Sequence, residues 1–163
     1  MCIRDSNLAY LEQKKGNSKK AYGMIERILS ENGNFSLAAN NMATIAIANQ
    51  DYERALDLLK ISESQWPARL KAKSLQAAEE VNNYVLLESM VGDKKSGIKS
   101  LGLLKPYVKS NRVMAYTYAL MSFYDQNKKS TASSTLKSIQ PGVGPGDLDI
   151  KINKLKNTIG RAK

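Results

Sequence analysis

Large and small apolar positions recur along this chain at an interval of 34 residues. Leu8 matches Met42, Ala9 matches Ala43, Asn17 matches Asp51, Ala21 matches Ala55, and Ile25 matches Leu59. The order is large apolar, small, turn, small, large apolar. Such a repeat predicts a helix before each turn and a second helix after it, the pair forming one structural unit. In the better copy (36–67), Ala43 and Ala55 permit close helix approach. Met42, Ile45, Leu56 and Leu59 are expected to fill the space between units, and Pro67 to close the second helix. Trp66 is expected to cover that helix end. The first copy (7–33) keeps Leu8, Ala9, Ala21, Ile25 and Ile28, with Gly16 suited to the turn by its access to positive φ and Gly33 where Pro67 closes the next copy.

Two further units are displaced. Residues 90–108 offer Gly92-Asp93 as a turn, Gly97 at the small position, and Leu101 and Leu104 as a packing pair. Gly97 lies 42 residues after Ala55, so the preceding helix is expected to be long, from about Ala68 to Val91, as one helix or two abutting ones. Pro106 is expected to kink or end the helix that follows. In residues 112–142, Ala132 takes the small position, Asn127-Lys128-Lys129 the turn, and Leu136 and Ile139 the packing positions. The units then run about 7–35, 36–69, 70–111 and 112–140. The Pro/Gly-rich stretch 141–147 reads as a linker, because it lacks both the Lys-Ser/Thr ending and the preceding strand of a phosphate-binding loop. Beyond it, Leu148, Ile152, Leu155 and Ile159 form one helical stripe, expected as a helix capping the array, with Asp147 or Asp149 at its start.

A period of 34 with these small and large positions resembles the tetratricopeptide repeat (TPR). The resemblance covers roughly residues 7–140 and is strongest over 7–67. It implies an all-α, right-handed superhelix of about four helix-turn-helix units. It also implies a scaffold or adaptor that is not an enzyme, needs no cofactor or metal, and binds a peptide or helix in a groove lined by the first helix (A) of each unit. Carried over by position, the groove residues are Tyr10, Gln13 and Lys14; Leu37, Asn40, Asn41, Thr44, Ile47 and Ala48; Asn82, Asn83, Leu86 and Met90; and Thr117, Met121 and Tyr124. Asn40-Asn41 and Asn82-Asn83 fall at corresponding points of two A helices. An asparagine amide both donates and accepts, so it can hold a peptide backbone. In peptide-clamping members of the family an Asn at this place does so, although the basic residues that accompany it there are not clearly matched. Among subfamilies the chain resembles bacterial TPR proteins of secretion and Flp/type IV pilus assembly.

Composition narrows the chemistry. The chain is 42% hydrophobic and 25% charged, with no histidine and one cysteine, Cys2. No Cys/His or Ser/His nucleophile pair and no soft-ligand metal cluster can be assembled. The carboxylates are spread along helices without an apolar setting that would tune an acid/base pair. No apolar run reaches membrane-spanning length. Net charge is +10 and uneven: residues 1–89 hold 11 Lys/Arg against 11 Asp/Glu, and residues 90–163 hold 14 against 4. The basic half is the basis of an alternative reading, a binder of nucleic acid or an anionic membrane surface. Lysine outnumbers arginine in it, which weakens the nucleic-acid version.

No helix pattern begins in the opening MCIRDS. The codons ATG TGT ATA AGA GAC AG encode its start and resemble a transposase mosaic-end adapter used in sequencing libraries. Residues 1–6 are therefore expected to be translated adapter, fused to the C-terminal piece of a longer array whose first repeat offers a face for self-association.

Overall fold

The computed structural model describes residues 2–31, 36–140 and 146–162. Among them are ten α-helices and no strand, so the protein is all-α. The chain divides into two compact units, Met1–Ser74 and Leu75–Lys163.

The first unit begins with α1 (Cys2–Lys14) and α2 (Ser18–Glu31), followed by α3 (Ser36–Ala48) and α4 (Tyr52–Lys60). Each pair packs together across a three-residue connection and is therefore antiparallel, and α3 also lies on α1 and α2. The four small residues that mark the repeat, Ala9, Ala21, Ala43 and Ala55, are fully buried. Without bulk there, the helices of each pair can approach closely. Ile25, Met42, Ile45 and Leu59 fill the core around them. A short 3-10 turn, Glu63–Gln65, leads into α5 (Trp66–Lys71).

The two turns repeat at the level of single hydrogen bonds. Gly16 N–H donates to Gln13 O and Asn17 N–H to Glu12 O, while Gln50 N–H donates to Ile47 O and Asp51 N–H to Ala46 O. This is the Schellman arrangement, which satisfies the last carbonyls of a helix and places one residue in the left-handed region. That residue is Gly16 (φ 85°) in one turn and Gln50 (φ 62°) in the next. The same bonds recur after α5, where Lys73 (φ 59°) donates to Leu70 O and Ser74 to Arg69 O.

The helix α1 starts at Cys2, where the repeat counted back from Ala21 puts the first helix. Two expectations change. Pro67 does not close α4, which ends at Lys60; it sits in the first turn of α5, where a missing N–H is no loss. Trp66 is buried as expected, but as the first residue of that helix. The span from Ala68 to Val91 takes the second of its two expected forms, two abutting helices, which part at Lys73.

The second unit contains α6 (Leu75–Met90), α7 (Lys94–Leu101), a 3-10 helix Gly102–Tyr107, α8 (Arg112–Tyr124), α9 (Lys129–Ser138) and α10 (Asp147–Arg161). At Gly97 α7 lies close to α6: a Cβ there would be 3.2 Å from Glu88 Cβ and 3.3 Å from Val85 O. Leu101 and Leu104 are buried. The backbone tightens to 3-10 geometry before Pro106, so the α-helix ends at Leu101. Asp93 and Asn111 cap α7 and α8 with their side chains. The Asn127 turn also contains a left-handed residue (φ 51°).

Ile152, Leu155 and Ile159 of α10 are buried against Ala119, Ala132 and Leu136, with Leu148 and Ile139 partly buried beside them. The α10 cap differs from expectation. Gly146 is the N-cap and uses no side chain, and the Asp149 carboxylate instead accepts a hydrogen bond from Arg112. Gly33 and most of the 141–147 linker lie outside the described residues.

Candidate functional site

In the first unit the proposed groove residues occupy α1 and α3. Tyr10 is exposed, and Lys14 Nζ lies 5.2 Å from the centre of its ring, within cation–π range. Gln13 is half-buried, and its Oε1 is buried without a hydrogen-bond partner. The same holds for Asn40 Oδ1 on α3. Asn41 donates from Nδ2 to Ser6 O at 3.3 Å, which ties α3 to α1. Thr44 Oγ1 donates to Asn40 O at 3.0 Å, a bond within its own helix. Leu37 and Ile47 are half-buried, and Ala48 is exposed.

The structure adds Ser6 to this set. It is fully buried, and its Oγ has no partner. It stands 34 residues before Asn40, within the stretch that the sequence reads as translated adapter. Thus Ser6 Oγ, Gln13 Oε1 and Asn40 Oδ1 are three buried, unpaired oxygens on two adjoining A helices. A buried polar atom without a partner costs about 1–3 kcal/mol, and native structures keep few of them.

In the second unit, Asn82 is 5% exposed and its Oδ1 also lacks a partner. Asn83 and Leu86 are half-buried, and Met90 is 59% exposed. Thr117 and Met121 do not face an open groove: they are 1% and 2% exposed. The reason is the crowding of α8, which packs against α6, α7, α9 and α10. The terminal methyl of Met121 lies 3.8 Å from where a Gly97 Cβ would be, so it fills the space that this glycine opens. Tyr124, by contrast, is 61% exposed, with its ring edge-on to Phe123 at 4.9 Å.

The carboxylates are less uniformly solvated than expected, because Glu12, Glu80 and Glu88 are buried. Glu12 accepts from Asn17 Nδ2 at 2.9 Å and pairs with Lys20 at 3.3 Å and Lys15 at 3.6 Å. The Asn17 hydrogen bond first, then the Lys20 ammonium, hold its carboxyl below the usual range. Glu88 Oε2 accepts the backbone N–H of Asp93. Both residues link the last turn of an A helix to the start of the helix that follows. The backbone N–H of Lys95 and the Ser96 hydroxyl similarly hold the Asp93 carboxyl down. Burial pushes the Tyr22 and Tyr116 phenols up. Among the described residues, no group of three His, Cys, Asp or Glu side chains could hold a metal ion, and no helix is long and apolar enough to cross a membrane.

The fold defines an all-α protein of antiparallel helix pairs arranged in two units. No protein-family profile matches the chain, and no curated protein matches it.

Proposed function

We propose that this chain is a tetratricopeptide-like scaffold that binds a segment of another protein along the A helices, with α1 and α3 as the docking face of the first unit. In this reading the chain binds rather than catalyses. The observation that supports it most is the pair of unpaired oxygens on Gln13 of α1 and Asn40 of α3. Gln13 and Asn40 are half-buried, so a turn of either side chain would present its unpaired oxygen to a peptide backbone N–H, and docking would remove a cost that the free protein carries. Tyr10 and Lys14 flank Gln13 on α1 and supply an exposed ring and a cation beside those acceptors. Backbone recognition of this kind depends little on the partner's side chains.

The reading is tested by selecting peptides from a displayed random library on the wild-type chain and measuring their affinity for Gln13→Ala and Asn40→Ala. Affinity should fall about tenfold for each, the worth of one lost hydrogen bond to a desolvated acceptor. The thermal midpoint should hold or rise, because an unsatisfied buried group has been removed. Equal affinity in both variants, or a library that yields no saturable binder, would defeat the proposal.

A further inference from the structure

The second unit contains a cleft of about 310 Å³ between α9 and α10, a size suited to a small ligand. The alkyl stems of Lys129, Lys137 and Lys156 and the edge of Ile159 make its lining apolar, with Leu136 fully buried beneath. Lys129 and Lys137 rim it from α9 and Lys156 from α10. Spacings of three and four place each helix's contributors on one face.

Lys129 Nζ donates to Ala162 O, which sets the start of α9 beside the end of α10. Lys137 lies about 12 Å further along α9, and Lys156 about 9 Å back along α10, at 1.5 Å per residue. The two ammonium groups therefore belong to the same end of the cleft. Neither forms an ion pair with a described residue. The acids of this half are engaged elsewhere: Asp93 caps α7, Asp125 meets Ser89 and Lys94, and Asp149 meets Arg112. Asp147, the fourth, begins α10 about 13 Å from Lys156 along the helix. Toward the other end, a Cβ on Gly160 would meet no atom within 4 Å, so the cleft has an open notch there.

The geometry points to this cleft as a binding site for a single-chain acidic amphiphile, a medium-length fatty carboxylate. The carboxylate sits between Lys137 and Lys156, and the chain lies along the lysine stems and the edge of Ile159 toward the Gly160 notch. Ammonium groups act as point charges and suit a small anionic head. A hydrated polyanion strand would gain nothing from the apolar lining, whereas an alkyl chain is driven onto it. This site is independent of the α1/α3 docking face.

The test is calorimetric titration of the full chain with decanoate at low salt, with decanol and decylammonium as comparators. Decanoate should bind saturably at one site, and the two comparators at least tenfold more weakly. K137Q and K156Q, at exposed positions, should each weaken decanoate about tenfold. Gly160→Phe should fill the notch and abolish binding while leaving the helical circular dichroism unchanged. Decanol binding as tightly as decanoate, undiminished binding by K137Q and K156Q, or adsorption only to phosphatidylglycerol vesicles would each overturn the proposal.

Discussion

Gln50 holds the left-handed position that Gly16 holds in the preceding turn. An L-residue there carries a steric cost of about 1–2 kcal/mol, which glycine avoids at some cost in unfolded-state entropy. Gln50→Gly should therefore stabilise the protein by about 0.5–1 kcal/mol, raising the thermal midpoint by about 2 °C. An unchanged or lower midpoint would count against the strain. Glu12 governs a different response. Its folded carboxyl is held below the ordinary value of 4.5, so it contributes stability above that value that is lost as pH falls through the lower folded value. Glu12→Gln should flatten the fall in thermal midpoint as pH drops below 4.5, and an identical pH profile would refute this. At this scale the sequence was partly legible. The interval of 34 located the turns, and Gly16 was read as suited to one of them by its access to positive φ. The burial of Glu12 and Glu88 carried no sequence signal, since their partners depend on how the chain folds back after each A helix.

The elements were most legible where a small residue marks a close approach. Gly97 was singled out by spacing, and the structure places it against the backbone of α6. Gly97→Leu should cost about 1–3 kcal/mol by overpacking, which a urea midpoint measures; a shift of less than a few tenths would mean that α7 moves away freely. The α10 stripe was equally plain, because four apolar residues at helical spacing leave one face to bury. The reading failed where a residue has two lawful uses. Proline ends one helix and begins another with the same ring, and only the fold shows that Pro67 begins α5. Thr117 and Met121 were misplaced because spacing gives the face of a helix but not how many neighbours crowd it. With α6, α7, α9 and α10 around α8, little of that helix is left to face outward.

For the whole molecule, the uneven charge is the property best read from sequence. All of the +10 excess lies in residues 90–163. Retention on a heparin column should therefore fall steeply with salt. Replacing Lys151 and Lys154 with Gln should lower the eluting salt more than replacing Lys19 and Lys20; equal shifts would show that the asymmetry is not felt by a polyanion. Paired helices were also foreseeable from the repeat, and so was a break between Ala68 and Val91 as one of two forms; its place at Lys73 was not, because no glycine or proline marks it.

The turn shared by Gly16, Gln50 and Lys73 has a consequence for ancestry. One backbone joint is made by three residues with nothing chemical in common, bonded through main-chain atoms alone. Mutation can therefore replace the letters at each joint while the hinge endures. A lineage built this way keeps its shape long after residue-by-residue kinship has faded, and it can lengthen by duplicating a hairpin whose ends already fit.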